Sequence, residues 1–532
     1  MYYLSIGVLV PSLIGLAFVL PLLGMFVKNI KFFHVYASAA SLYALIVAIY
    51  NFNVVVREGV KAYPFGGWWP PIGISYEVDE VNSLIALLTA SVMFLITLYS
   101  TWYIRDLKDA PYYYTLLLGL EVGMLGCIYT GDAFNLFVML EVMSISAYAL
   151  VGFYRNKPEA IEAAIKYGLF GAVATTLYFI GLVFIYASFG TLNMADLTNK
   201  ATLFWAHNLI SGPYYGQVYA ATAVALALSL WAFTFKSAVF PNHFWLPDAH
   251  PEAPTPVSAA LSGLVVNVGV YAIFRFFYTI FNPFSVLSDL RDLMLLITLV
   301  LGIASGLIGA FMMAVQDDIK RLLAYSTISH IGLILVGLSI GSSLLSRPGS
   351  QAFVDGLTGA FYHLINHSIG KSLLFLASGV IIYMAGGTRK LDELGGVARK
   401  NPVLGVVLVV GVLQLLGIPP FGGFFSKYLL YASYLEAGAP YISVIINIVS
   451  AVSLLGYVRL LYAAFFTIPR REFVKTSMFP SIILLVLSVA CLMTGLLSPT
   501  ISDWLRRFVE ATTSKEGILN YWLQGYLVFW GR

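Results

Sequence analysis

The chain alternates long apolar runs with short polar connections. Runs near 20 apolar residues are long enough to cross a bilayer as helices. They fall at about 4–27, 33–56, 81–104, 112–130, 133–153, 163–188, 218–240, 257–281, 292–315, 322–345, 354–385, 402–435, 440–468 and 478–497. This pattern predicts an all-α polytopic membrane protein of about fourteen transmembrane helices. One interruption organises the rest. The run from Val218 to Phe235 leads straight into Lys236, and Pro241, Pro247, Pro251, Pro254 and Pro256 follow, mixed with His243, Asp248, His250 and Glu252. The next apolar run starts at Val257. Proline cannot continue a helix interior, so a hydrophobic helix is expected to break beside a charged lysine. A broken helix next to an intramembrane charge is the usual sign of an ion path. A proline-rich turn between two spans is the plainer alternative.

A second break repeats the first. The run from Val403 is interrupted at Gly417-Ile-Pro-Pro, where Pro419 and Pro420 stand together, and Lys427 follows just beyond. Equivalent breaks five helices apart sit in opposite orientation, which is the pattern of an inverted repeat. The expected division is an N-terminal three-helix segment over 1–111, a first five-helix repeat over 112–281, an inverted second repeat over 292–468, and a C-terminal helix and tail over 469–532.

Ionisable groups inside the runs each need a reason, because a charge at the bilayer centre costs about 2.5–3.5 kcal/mol or more. Glu141 lies mid-helix, and its short stem makes snorkelling hard. Lys236 is its leading candidate partner, and movement of Glu141 would then release the lysine proton. A static ion pair locking two helices is the alternative. His330 has the ordinary titration range of a relay group. His363, His367 and Lys371, each four residues apart, form one polar helix stripe. The two histidines share the spacing of metal ligands, but no third ligand accompanies them, so proton relay or polar packing is the expected role. Asp248, His250 and Glu252 read as gate or turn residues. Arg275, near a helix end, is expected to snorkel.

Composition excludes an ordinary globular chain: 59% of the 532 residues are hydrophobic and 11% charged, against about 25% charged in soluble domains. The net charge of +4 reflects loop bias, not a nucleic-acid partner. One set of alternate loops holds Lys28, Lys31, Arg105, Lys108, Arg155, Lys157, Lys320, Arg321, Arg389, Lys390, Arg399, Lys400, Arg470, Arg471 and Lys475; the other holds only Arg57, Lys61, Lys200, Arg291 and Arg347. The first set is therefore expected in the cytoplasm and both termini outside. Ile518 to Trp530 is aromatic-rich and suits the membrane interface. Cys127 and Cys491 lie inside apolar runs and make no disulfide framework. The first run lacks a basic n-region and a cleavage site, so it is expected to be retained as a span.

Four motifs in order, KSAVFPNHFWLPDAHPEAPTPVSA, DIKRLLAYSTISHIGLI, FYHLINHSIGKSLLFLASG and LGIPPFGGFFSKYLL, resemble the antiporter-like proton-conducting subunits. Those subunits belong to complex I, Mrp-type cation/proton antiporters, membrane-bound hydrogenases and related archaeal complexes. The resemblance covers about residues 75–470. It implies Glu141 and Lys236 as the charged pair of the first half, His330 with the His363/Lys371 helix on the central axis, and Lys427 as the second half's terminal proton carrier. One position departs from the family: Asn267 stands where a lysine is usual, and it can hold a water but no proton charge. The chain shows no flavin or nucleotide fingerprint and no iron–sulfur cysteine pattern. The resemblance thus implies no cofactor in this chain. Iron–sulfur clusters or a metal centre are expected in partner subunits of a respiratory or hydrogenase-like complex in a prokaryotic cell membrane, with protons or sodium as cargo. An Mrp-type sodium/proton antiporter subunit is the alternative, and a non-conducting scaffold, favoured by Asn267, is a third.

Overall fold

The structure is a computed structural model and describes residues 2–202, 214–468 and 472–527. Arg470, Arg471 and the tail beyond residue 527 lie outside the described residues. Every one of the fourteen expected runs is helical. The N-terminal segment comprises α1 (Tyr2–Phe26), α2 (Ile30–Glu58) and α3 (Glu80–Tyr103). Then come α4 (Ala110–Tyr129), α5 (Ala133–Val151), α6 (Pro158–Phe189), the short α7 (Met194–Thr202) and α8 (Tyr215–Lys236). After the first break stand α9 (Trp245–Glu252) and α10 (Thr255–Ile280). The later half holds α11 (Ser288–Ala314), α12 (Ile319–Ser339) and α13 (Gln351–Met384). It continues through α14 (Pro402–Leu416), α15 (Gly422–Glu436), α16 (Pro440–Phe465) and α17 (Phe479–Leu496). Two short helices close the described chain, α18 (Ser498–Thr513) and α19 (Lys515–Trp522).

Among the described residues twelve helices are long and apolar enough to cross a membrane, or thirteen if the bent pair ending at Leu416 is one span. The expectation of fourteen differs for two physical reasons. Helix α4 is diluted by Glu121 and its tyrosines, and α14 and α15 are half-length pieces on either side of a break. Helices α10 and α12 are buried along their apolar windows, and α13 nearly so. These three therefore form a protein-lined axis, whereas α1, α2, α6 and α16 turn apolar faces outwards, as lipid-facing helices do.

Polar caps start many of the spans. The Asp79 side chain accepts from Asn82 N while Asn82 returns a bond to Asp79 N, a reciprocal cap for α3. Asp132, Asp318 and Ser350 cap α5, α12 and α13 one way, each side chain accepting from a backbone N–H of the first turn. The connection between α2 and α3, which the apolar pattern leaves as a loop, is an antiparallel hairpin of β1 (Lys61–Pro64) and β2 (Ser75–Val78), with Tyr63 opposite Tyr76. Strands this short carry too little alternation to be read ahead. The hairpin, α7 and α19 lie on the face where the described chain begins and ends, and the described basic loops lie on the opposite face. Cys127 and Cys491 are free and buried.

Candidate functional site

The first break is held open by side chains. Helix α8 stops at Lys236; Ala238 takes a left-handed backbone with φ of 52°. The carbonyls of the last turn of α8 are taken up by the chain beyond it: Val239 N donates to Thr234 O at 2.9 Å, and Phe235 O accepts from both Ala238 N and Trp245 Nε1 at 3.0 Å. Phe240 N donates to Ser305 Oγ of α11 at 2.8 Å. Trp245 is fixed by stacking on Tyr167 at 3.9 Å. Non-helical backbone is tolerated at this depth because protein satisfies it. The proline-rich stretch is not one continuous break. Pro247 sits in the first turn of α9, where a missing N–H costs nothing, and Pro251 lies inside that helix. Pro241 stands in the gap between α8 and α9, and Pro254 in the shorter gap between α9 and α10.

Lys236 is 1% exposed. Its Nζ donates to Ser144 Oγ at 2.5 Å and to Tyr148 Oη at 3.3 Å, both on α5. Among the described residues no ion pair within 4.0 Å joins it to Glu141. The expected direct pairing is absent: Ser144, one turn beyond Glu141 on the same helix, takes the ammonium and gives its own hydrogen to Leu140 O. Glu141 is only half-buried, with Oε1 buried and unbonded.

The second break also has a buried lysine, but on its far side. Gly417 ends α14 in the left-handed region with φ of 78°. Lys427, 5% exposed, donates to Leu416 O at 3.0 Å, so the lysine caps the broken end. Pro419 and Pro420 form the turn between. The two half-helices approach so closely at Gly423 that a Cβ there would lie 1.7 Å from Gln414 O.

Between the breaks runs a file of buried polar groups. Lys371 Nζ contacts Ser326 Oγ and donates to Leu323 O at 3.2 Å. Ser326 Oγ bonds Tyr457 Oη. Tyr457 Oη meets His330 Nε2 at 3.2 Å, His330 Nδ1 meets His363 Nε2 at 3.0 Å, and His363 Nδ1 meets Ser426 Oγ at 3.0 Å. Ser426 is the residue before Lys427. Six side chains from α12, α13, α15 and α16 are thus linked without a gap. His367 is fully buried with neither ring nitrogen bonded, and its ring lies 5.8 Å from that of His330. Asn267 Nδ2 donates to Gly263 O and Ser368 Oγ, both at 2.7 Å, while its Oδ1 is unbonded. It belongs to α10, where a π-helical turn over Leu261–Val265 widens the backbone.

On the face opposite the termini, Asp248 pairs with Lys166 and Arg321, and Glu252 pairs with Arg389. These groups line open cavities of about 310 and 590 Å³, the larger of which reaches the buried Lys320. Arg275 does not snorkel. It is fully buried and donates to Asp79 Oδ2 at 2.6 Å, because the carboxylate that caps α3 faces the end of α10.

The hydroxyls of Ser144, Tyr148, Ser326, Ser426 and Tyr457 escaped sequence reasoning. Their available signal was position: Ser144, Ser326 and Ser426 each lie within about one turn of a singled-out ionisable residue on the same helix, and Tyr148 lies two turns from Glu141 on the same face. Tyr457 carries no such mark. Glu121, fully buried and bonded by Ser41 Oγ at 3.1 Å, was also passed over. Among the described residues no group of three or more His, Cys, Asp or Glu is placed to hold a metal ion.

The family model for "NADH:quinone oxidoreductase/Mrp antiporter, TM" matches residues 130–453. The chain belongs to this family. It is 30% identical over 516 residues to a "Na(+)/H(+) antiporter" subunit of Bacillus subtilis, covering 96% of this chain and 97% of that one. It is 33% identical over 392 residues to an "NADH-quinone oxidoreductase" subunit of Desulforudis audaxviator, covering 73% and 72%. Among solved structures it is similar to a chain of the archaeal membrane-bound sulfane sulfur reductase, with a TM-score of 0.84, 26% identity, and 97% and 99% coverage. The family segment contains both breaks and nearly all of the buried file, ending four residues before Tyr457.

Proposed function

We propose that this chain is the proton-translocating membrane subunit of a multi-subunit, redox-driven complex. The observation that carries the reading is the unbroken hydrogen-bonded file from Lys371 through Ser326, Tyr457, His330 and His363 to Ser426, with a lysine at each helix break. Such a file moves a proton by successive donor–acceptor exchange, without any group travelling far. Lys236, held by Ser144 and Tyr148, is the loading group of the first half, and Glu141 sets the charge beside it. Lys427 exchanges the proton at the far end, and His367 and Asn267 line the axis between. The inverted repeats at about 112–281 and 292–468 and a topology with both termini outside belong to this reading. Partner subunits in a prokaryotic cell membrane supply the redox chemistry with their own iron–sulfur or metal centres.

A second reading, a sodium/proton antiporter subunit of Mrp type, is favoured by the near end-to-end match to the Bacillus subtilis antiporter subunit. Reconstitution of the purified complex in proteoliposomes separates the readings. Redox-driven acidification that is lost in His330→Ala supports the first. Sodium-driven proton movement in the absence of redox substrates supports the second. Acidification unchanged in both His330→Ala and Lys236→Ala would overturn both.

A further inference from the structure

The termini face holds a buried carboxyl that the file above does not use. Glu77, on β2, is 1% exposed, and neither of its oxygens has a hydrogen-bond partner within 3.5 Å, the Tyr521 hydroxyl being the donor turned towards it. Two glycines wall it in. A Cβ at Gly525 would lie 2.4 Å from Glu77 Oε1, and one at Gly131 would lie 3.2 Å from Oε2. Three ionisable groups face it. Asp79 caps α3, Arg275 ends the α-helical part of α10, and Tyr521 comes from α19. Arg275 is already committed: it gives Nη1 to Asp79 Oδ2 at 2.6 Å and to Thr279 Oγ1 at 3.2 Å, and Nε and Nη2 to Tyr271 Oη at 3.1 and 2.9 Å. The Tyr521 ring lies 5.2 Å from the guanidinium. Two carboxyls therefore share one cation, and that cation is bonded to Asp79. An unpaired carboxylate cannot stay ionised in such a place without large cost, so Glu77 takes a proton.

The position of this carboxyl gives the proton a route. Asn267, Tyr271, Arg275 and Thr279 follow one another at four-residue spacing and form one polar stripe along α10. The stripe starts at the central axis, where Asn267 bonds Ser368, and it ends at Asp79 and Glu77. A π-helical turn over Arg275–Ile280 widens the backbone at its outer end. The π-helical segment after α19, which contains Gly525, covers the carboxyl.

We propose that Glu77 is a proton-binding site at the termini face, joined to the central axis by the Asn267–Tyr271–Arg275 stripe and closed by the C-terminal segment. Its occupancy follows from local geometry alone; its role in transport rests on the translocation reading. Burial pushes the Glu77 carboxyl well above the usual range; Arg275 acts against it, Asp79 in the same sense, and the Tyr521 hydroxyl against it again.

Infrared difference spectroscopy of the whole purified complex at neutral and alkaline pH tests occupancy, and proteoliposome acidification tests the role. The wild type is expected to show a protonated-carboxyl band at neutral pH that Glu77→Gln lacks and Glu77→Asp keeps. Translocation in Glu77→Gln is expected to fall roughly a hundredfold, the lower range for losing a proton-transfer group. Spectra of wild type and Glu77→Gln that coincide would overturn the site. A band lost with translocation unchanged, while Lys236→Ala abolishes translocation, would overturn the role and leave the translocation reading standing. Lys236→Ala that translocates normally would overturn that reading, with the Glu77 band still deciding occupancy.

Discussion

His330 Nδ1 and His363 Nε2 lie 3.0 Å apart, so one ring donates and the other accepts. The outer nitrogen of each ring is also engaged, His330 Nε2 with Tyr457 and His363 Nδ1 with Ser426. Fixing the tautomer of one imidazole therefore fixes the other, and reversing it requires both flanking hydroxyls to turn. The pair holds at most one extra proton, because two imidazolium rings would set N–H against N–H. This is the physical condition for passing protons singly and in order.

Tyr457→Phe tests that condition at its weakest link. The change removes one hydroxyl and keeps the ring, so packing survives. Ser326 and His330 lose their common partner, at a stability cost of about 1–3 kcal/mol for buried polar groups left unbonded. Translocation is expected to fall by roughly a hundredfold or more, with redox turnover slowed or uncoupled. Acidification assays with thermal unfolding of the same preparation check both parts. Full translocation in a folded Tyr457→Phe complex would remove this hydroxyl from the path.

Glu141→Gln separates a switch from a structural lock. A buried ion pair broken on one side costs about 3–5 kcal/mol. Here Lys236 bonds Ser144 and Tyr148, and Glu141 is half-buried and outside ion-pair distance. The variant should therefore fold with stability within about 0.5 kcal/mol of wild type, and lose translocation because the charge beside Lys236 is gone. A large drop in unfolding temperature would mean that the pair is a lock after all.

The breaks, the lysines and the histidines were legible because prolines and charges are rare in apolar runs and each demands an explanation. The links between them were not. Ser and Tyr are common in membrane helices, and Ser326 meets Tyr457 across 131 positions of sequence. Arg275 was misjudged for the same reason. Nearness to a helix end suggested snorkelling, but its carboxylate partner is 196 positions away, at the cap of α3. The proline-rich stretch misled differently: prolines tolerated in a first helical turn look the same in sequence as prolines that end a helix.

Arg275→Met is expected to be the most damaging of these changes to folding. It leaves Asp79 buried at 2% exposure without its cation, at about 3–5 kcal/mol. Arg275→Lys should recover little, since a compact ammonium lacks the planar fork that spreads donors over Nε, Nη1 and Nη2 to reach Asp79, Tyr271 and Thr279. The double change Arg275→Met with Asp79→Asn removes both charges and keeps a cap for α3, so it should regain part of the loss. Unfolding temperatures of the three purified variants check the order. A double variant no better than Arg275→Met would show that the pair is not the source of the cost.

The pH dependence of stability has a sign fixed by Glu77. Burial raises its folded-state proton affinity above the ordinary value of 4.5. Below that pH the carboxyl is protonated in both folded and unfolded chains, and its contribution to stability is fully present. Above it the unfolded chain ionises first, so stability is lost as pH rises towards the folded-state value, by up to about 1.4 kcal/mol per pH unit. Glu77→Gln cannot titrate and should flatten this part of the profile, becoming more stable relative to wild type as pH rises from mildly acidic to neutral. Unfolding temperatures measured across that range for both proteins decide it. Parallel profiles would mean that Glu77 is ionised in the folded protein, and the stabilising partner would then have to be a cation at the same carboxyl.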